Sequence, residues 1–559
     1  MFVHTSLRSK TPATVANPAF AAPRMGMRPG LVVTASGKNQ NTWLTLGIQL
    51  SFFPFVDRMT PKILLFSLKS VRLRICILAM LGIFATVSMR TILGMAMVCM
   101  VNTTAFVETN EYVAMSFFRN ASFEEERVCS KSYSAQAMAE SGYHGTLLWS
   151  PSMQSLLFSA TFYGGLITIL PSGYLADRFG PKPFFILSVL DYSVVTILGP
   201  LLANTNFYAF LVGRLIMGLG EGFIMPTVSS LASRWFPPNE RGAVAALYTS
   251  GIQLAGSTGG FVSASLCSLD FSGGWPLIFY TFGCLGCLWC VIFTIVASSS
   301  PGENKWISNE EKNHIISAVP HSSTYDKNVP VPWRRIMSST AVLSILVVQF
   351  SFSYSLTTLQ SFLPAYFRDI LLLDVKSNGL YTVLPFLSQL IFKNVFGHLS
   401  DYLKRKEILS CTTSSKVFQS IGSFGSVVCF SGLAWFVNCE TPILALAFLG
   451  MHGLCFSCGM SGFYVSCLSI APSYTGVVMS MSMFFGTIGN ALAPLTFGLV
   501  NSQGSDKEWR NVYLICAVLN AIAGVVFLVS GSGQIQVWAI PESPKKQRMN
   551  QEPIVTNSL

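Results

Sequence analysis

Arg90, Arg214 and Glu221 stand where ionisable side chains are rare, inside apolar runs long enough to cross a lipid bilayer. Arg90 occupies the middle of Phe84-Ala85-Thr86-Val87-Ser88-Met89-Arg90-Thr91-Ile92-Leu93-Gly94-Met95-Ala96, too deep to reach water easily from either end. A charge at that depth costs about 2.5–3.5 kcal/mol on insertion scales, so it turns toward a polar cavity or a partner. Arg90 has no acid in its own run, and a fixed cation there is costly unless something anionic visits it. A guanidinium offers a planar fork to a carboxylate or phosphate, and a glutamate near a cation can change charge as its surroundings open and close. Arg214 and Glu221 are seven residues apart, about two turns, and so share one helix face. The plain alternative for these two is a buried ion pair that only holds helices together. Asp191 and Lys393 also fall within apolar runs and are second-rank candidates for the same cavity. His452, alone on an apolar face, reads first as a packing residue and only second as a proton carrier.

The elements that must position these residues follow from composition. The chain has 559 residues, 51% hydrophobic and only 11% charged, with a mean hydropathy of +0.52, which excludes a soluble globular domain and indicates a polytopic membrane protein. The net charge of +11 sits in the N-terminal tail and in short loops beside apolar runs, the positive-inside pattern, so no nucleic-acid partner is expected. Twelve runs of spanning length are predicted, at about 75–100, 152–174, 184–203, 207–231, 243–266, 275–297, 339–363, 378–398, 417–437, 442–467, 476–500 and 511–531. An even number puts both tails on one side of the membrane, and the basic loops make that side cytosolic. Residues 1–74 read as a cytosolic, largely disordered basic tail, with ten Lys or Arg against the single acid Asp57. Residues 75–297 and 339–531 are the two membrane halves, joined by a cytosolic linker at 298–338 and followed by a cytosolic tail at 532–559.

The loop 102–148 carries six acids against three bases and two glycosylation sequons, at Asn102 and Asn120, both on the lumenal or extracellular side by this topology. Cysteines within the runs, including Cys99 and the pairs Cys284/Cys287 and Cys455/Cys458, read as packing residues, because neither CxxC pair has a second pair or a histidine set around it. Cys129, in the loop, is a candidate for a disulfide whose partner the sequence does not name.

The halves are related by duplication. Gly173-Tyr174-Leu175-Ala176-Asp177-Arg178-Phe179-Gly180-Pro181-Lys182 returns as Gly397-His398-Leu399-Ser400-Asp401-Tyr402-Leu403-Lys404-Arg405-Lys406, each between two apolar runs. Trp235-Phe236-Pro237-Pro238-Asn239-Glu240-Arg241-Gly242 has a degraded partner in Ile470-Ala471-Pro472-Ser473-Tyr474-Thr475-Gly476. Gly173, at the end of its run, permits close backbone approach at a tight loop, Asp177 can receive a helix-end or basic partner, and Arg178 prefers the cytoplasmic face. Asp401 is the counterpart of Asp177 and completes a gating loop at the same place in each half. This pattern resembles the loop between helices 2 and 3, and its partner between helices 8 and 9, of the major facilitator superfamily.

Further stretches narrow the resemblance to one branch, the anion transporters that include sialin, the vesicular glutamate and nucleotide transporters and the type I sodium-phosphate transporters. They are Arg90-x-x-Leu93-Gly94-x-Ala96-x-Val98-x-Met100-Val101-Asn102, Gly218-Leu219-Gly220-Glu221-Gly222, Trp235 to Arg241, and Ser461-Gly462-Phe463 with Ile470-Ala471-Pro472. The resemblance implies an all-α integral membrane fold of 12 transmembrane helices in two six-helix bundles. It implies that Arg90 pairs with the substrate's carboxylate or phosphate, that Glu221 takes and releases the coupling proton, and that Arg214 couples the two. Gln253 matches a cavity glutamine of the sialin-like members, with Tyr163 and Asn490 as further substrate-binding candidates. Two departures argue against a vesicular glutamate role: the second arginine on helix 7 and the histidine on helix 2 of the glutamate transporters correspond here to Phe352 and Phe158.

The function expected is secondary active transport of organic anions or phosphate by alternating access, coupled to protons, with sodium-dependent phosphate cotransport as the alternative. A non-transporting membrane sensor or scaffold is the reading from another class, and no enzyme motif or metal-spaced cluster is present. No cofactor is expected beyond the coupling ion, H+ or Na+. The expected partners are a small anionic substrate and the lipid bilayer, with the protein a monomer in the plasma membrane or a lysosomal or vesicular membrane.

Overall fold

The computed structural model describes residues 70–102, 145–237, 240–269, 274–318, 332–471, 474–501 and 504–539. The tail before Ser70, the sequon at Asn120 and Cys129 lie outside the described residues. Twelve long helices lie within them: α1 (Val71–Met100), α2 (Pro151–Phe179), α3 (Pro181–Thr205), α4 (Phe207–Trp235), α5 (Arg241–Cys267), α6 (Trp275–Val296), α7 (Thr340–Asp369), α8 (Val375–Arg405), α9 (Cys411–Trp435), α10 (Pro442–Ser469), α11 (Thr475–Val500) and α12 (Asp506–Ser530). Ten are long and apolar enough to cross a membrane. The exceptions are α5, where glycine, serine and threonine replace larger apolar residues, and α8, which carries Asn378, Gln389, Lys393, Asn394 and His398.

Local signals set the helix ends. Ser150, Asn206 and Ser410 each accept a hydrogen bond from a main-chain N–H of the helix they precede, and Asp374 accepts two at the start of α8. Ser505 and Glu508 close a capping box on α12. The turn between α2 and α3 differs from the expectation for Gly173. α2 stays helical through Gly173 to Phe179 and is broken by Gly180, whose φ of +91° suits only glycine, with Pro181 opening α3.

Each half repeats one packing scheme. α1 packs on α5 and α6, α2 on α4, and α3 on α4 and α6; likewise α7 packs on α11 and α12, α8 on α10, and α9 on α10 and α12. The halves meet where α2 lies on α11, α5 on α8, and α1 on α7. In the first half glycines let α2 and α4 touch backbone to backbone, because a side chain at Gly218 would strike Thr161 and Gly164.

The two ends of the assembly differ. At the end holding Met100, Cys267 and Asp369 the halves interlock: a side chain at Gly94 would lie 2.6 Å from the Ser361 carbonyl oxygen, and one at Gly260 2.9 Å from Thr382. At the opposite end Gly173, Gly242, Gly397 and Gly476, the glycines of the repeated motifs, have nothing within 4 Å of where a side chain would begin. The close approach expected at Gly173 is therefore absent, and the end bearing the α2–α3 loop, where all four glycines face open space, is the more open of the two.

Two further corrections concern residues read from sequence as tail or packing. α1 begins at Val71, so Arg72 belongs to a helix and not to the tail. Its guanidinium is fully buried, paired with Glu240 at 2.6 Å and with Glu311 of the linker helix Asn309–Ala318 at 3.2 Å. Glu311 also accepts from Ser70 Oγ at 2.6 Å and from the main-chain N–H groups of Val71 and Arg72 at 3.2 Å, and so caps the start of α1. Burial pushes the Glu311 carboxyl up, but the hydrogen bonds from Ser70, Arg72 and Val71 and the Arg72 charge outweigh it and hold it below its ordinary value. Cys99 forms a disulfide with Cys267 that joins the ends of α1 and α5 across 168 residues of sequence. Cys284, Cys287, Cys455 and Cys458 are free thiols.

Candidate functional site

Four helices bring one charged cluster together in the middle of the bundle. Arg90 of α1 forms an ion pair through Nη1 with Glu221 Oε1 of α4, and the Tyr192 hydroxyl of α3 donates to Glu221 Oε2. Arg90 Nη2 reaches Gln360 Oε1 of α7, in the other half, at 3.4 Å. The guanidinium lies 5.3 Å from the centre of the Phe162 ring of α2. Both oxygens of the carboxylate are thus held, one by a cation and one by a phenol. The pair is not sealed, since the side chains of Arg90 and Glu221 remain 14% and 20% accessible.

Chemically the arrangement is an exchangeable ion pair. Protonating Glu221 removes the charge that holds Arg90, and an anion arriving at Arg90 competes with Glu221 for the same N–H groups. With such a pair, a proton bound at Glu221 and an anion bound at Arg90 would each favour the other.

This corrects the sequence reading in which Arg90 stands unpaired; Arg214 and Glu221 do share a face of α4, but they do not form the ion pair that was the plain alternative for them. Seven residues of helix separate Arg214 from Glu221 by about 10.5 Å along the axis, too far for their heads to meet, whereas α1 brings Arg90 directly opposite Glu221. Arg214 is buried, donates Nη1 to Met217 Sδ at 3.3 Å, and has no carboxylate within 4 Å among the described residues. Asp191, half-buried, accepts the Gly220 N–H through Oδ2 at 3.2 Å and so ties α3 to α4 one position before Glu221.

The remaining candidates spread outward. Asn490 Oδ1 accepts from Thr357 Oγ1 at 2.8 Å, which ties α11 to α7 one turn from Gln360. Tyr163 is half-buried next to Phe162 and makes no hydrogen bond to the cluster. Gln253 is buried on α5 with its Oε1 unpartnered. Lys393 of α8 donates to Thr249 Oγ1 of α5 at 2.5 Å. His452 is fully buried between Phe430 and Phe456, ring centres 4.6 and 5.8 Å away, and neither ring nitrogen has a partner.

At the gating loops, Asp177 Oδ1 accepts from Ser230 Oγ at 2.7 Å, and the Asp177 carbonyl accepts from Arg234 at 2.7 Å. Arg178 donates to the Tyr174 hydroxyl. The Asp401 carboxylate meets Lys404 at 3.5 Å and is 65% exposed, and the Asp401 carbonyl accepts from Arg405 Nε at 3.3 Å. Phe352 stacks on Phe456 with ring centres 3.9 Å apart, and Phe158 packs edge-on to Phe362 at 4.9 Å, so aromatic contacts fill both positions. The sequence reading missed Tyr192 and Gln360; the only signal for either is a polar residue inside an apolar run.

The sequence pattern of the Major Facilitator Superfamily matches residues 79–494. The chain belongs to the Major Facilitator Superfamily. Within it, a Caenorhabditis elegans protein named as the uncharacterized transporter slc-17.3 is 36% identical over 88% of this chain and 94% of its own length. Human sialin is 30% identical over 84% and 91%. The mouse sodium-dependent phosphate transport protein 3 is 28% identical over 84% and 95%. Solved structures of similar fold include a D-xylose–proton symporter, with a TM-score of 0.59 at 17% identity over 84% of this chain and all of the other. A bacterial homologue of the lysosomal transporter Spinster, inward-facing and occupied, has a TM-score of 0.58 at 14% identity over 82% and 97%. This member of the superfamily is therefore a multi-pass membrane transporter in the anion-transporting branch, and not an enzyme.

Proposed function

We propose that the protein carries an organic anion or phosphate across the membrane with protons, Arg90 binding the anionic group and Glu221 taking the coupling proton. The observation that carries this reading is the partner of Arg90. A mid-membrane guanidinium held by an accessible glutamate can accept an anion only as that glutamate lets go, and protonation is the direct way to release it. Tyr192, by donating to the second carboxylate oxygen, keeps the first aimed at Arg90. Gln360, reached from the same guanidinium, brings the second half to the site, so occupancy of Arg90 is felt on both sides of the moving interface.

The cytosol is the side toward which this conformation opens, and both termini lie there. The Cys99–Cys267 disulfide supports that orientation, since it needs an oxidising face, opposite the basic loops. Asn102 and Asn120 are then glycosylation sites. A second reading, sodium-driven phosphate uptake, is favoured by the name of the mouse relative.

The test is uptake of labelled anions, phosphate and sialic acid first, into proteoliposomes with proton and sodium gradients imposed separately. Arg90→Ala is expected to abolish uptake, and Glu221→Gln to abolish proton-driven uptake while sparing anion exchange. Uptake driven by sodium alone and unchanged in Glu221→Gln would replace the first reading by the second.

A further inference from the structure

α5 and α8 cross between the halves in antiparallel register. Gly260 lies against Thr382, Gly256 against Phe386 and Thr249 against Lys393, so that α5 residues nearer the open end face α8 residues nearer the same end. Toward the interlocked end the facing residues are small or apolar, Ala264 against Gly379 among them. Toward the open end they change in kind. The same register sets Gln253 opposite Gln389, and one turn further lies Lys393.

These groups are short of partners. Gln253 and Gln389 are 3% and 1% exposed, and Gln253 Oε1 and both polar atoms of the Gln389 amide make no hydrogen bond. Lys393 has three N–H donors, one of them accepted by Thr249, and no carboxylate within 4 Å among the described residues. Gln389 and Lys393 are four residues apart and so share a face of α8. Buried amides and an unneutralised ammonium are poor material for a seam that only needs to pack.

Their place along the path supplies the reason. Thr91, next to Arg90, lies within 3.6 Å of where a side chain at Gly259 would begin, which fixes the level of the Arg90 cluster on α5. From that level Gln253 is about 9 Å, and Thr249 with Lys393 about 15 Å, toward the open end, at 1.5 Å per helical residue. A small anion cannot touch Arg90 and Lys393 at once. It can pass from one to the other.

We propose that Lys393, with Gln389 and Gln253, forms a second anion station between the Arg90 site and the open mouth, where the carboxylate or phosphate of the cargo rests on its way in or out. This rests on the anion-transport reading above. An anion there would gain the free N–H groups of Lys393 and the amide donor of Gln389, and would supply the counter-charge that no side chain provides.

The test uses the full-length protein in oriented proteoliposomes, with the KM for labelled phosphate and for labelled sialic acid measured separately at each face. Lys393→Gln is expected to raise the KM at the face bearing the α2–α3 loop about tenfold, the loss of roughly one charge-assisted hydrogen bond, and to leave the opposite KM within about twofold. Lys393→Arg restores the low KM, and Gln389→Leu, which keeps the cation, gives a smaller rise at the same face only. The two probes tell a phosphate station from a carboxylate one. A KM for Lys393→Gln that matches wild type at both faces, or rises equally at both, overturns the station and leaves the Arg90 reading intact. Wild-type protein that carries neither probe removes both.

Discussion

The two halves of this transporter share a scaffold and differ in chemistry. In the first half α1, α3 and α4 place Arg90, Tyr192 and Glu221 in contact at mid-membrane, with Arg214 and Asp191 on the same helices. In the second half α10, the counterpart of α4, carries His452 enclosed by phenylalanines, and Phe352 of α7 stacks where a charge could have stood. The gating loops repeat the contrast, since Asp177 is bonded to α4 while Asp401 stands in solvent. Duplication preserved the helix packing, and charge was kept where the chemistry is. On the reading proposed above, the first half binds the anion and takes the proton at mid-membrane, while the second half touches that site through Gln360 and lines the path to it with Lys393.

Substitutions that treat the halves alike should therefore give unlike results. The largest contrast is expected at mid-membrane, where Arg90→Ala reduces uptake at least a hundredfold, the loss of about 3 kcal/mol or more of charge-assisted binding, while His452→Phe stays within about twofold. Comparable losses in both would break the division of labour. Next in size is the buried pair that fastens the linker to the first half. Arg72→Met leaves the carboxylates of Glu240 and Glu311 without their cation and is expected to cost about 3–5 kcal/mol, read as a lowered Tm of the detergent-solubilised protein.

Glu311 adds a pH signature to that latch. Its folded pKa lies below its ordinary 4.5, so its stabilising contribution is full above 4.5 and is lost as pH falls through the lower folded value. The Tm should therefore fall on acidification below 4.5 in wild type, and less steeply in Glu311→Gln. The smallest contrast lies at the gates: Asp177→Asn, which weakens the bond from Ser230, is expected to slow transport about fivefold, roughly one hydrogen bond, and Asp401→Asn hardly at all.

The architecture was legible because apolar runs and a repeated loop are local patterns, and because membrane thickness leaves helices few alternatives. α5 and α8 were the least apolar of the twelve, and their polarity now marks the seam between the halves. Arg90 and Glu221 were visible one at a time, since a mid-membrane charge stands out in any window. Their pairing was not, because which helix faces which is a property of the bundle. The same limit explains Tyr192 and Gln360, ordinary polar residues until α3 and α7 bring them to the site, and Cys99 with Cys267, distant in sequence and adjacent in space. Gly173 misled for a different reason: a glycine in a motif was taken for the turn that Gly180 makes.

The most direct test of the central claim is simultaneous measurement of proton and anion flux in wild type and Glu221→Gln. Coupled proton and anion entry in wild type, with anion exchange surviving and proton movement lost in the variant, is the predicted result. Proton flux that persists with anion uptake in Glu221→Gln would show that the coupling proton is carried elsewhere, and would contradict the exchange of Arg90 between glutamate and cargo.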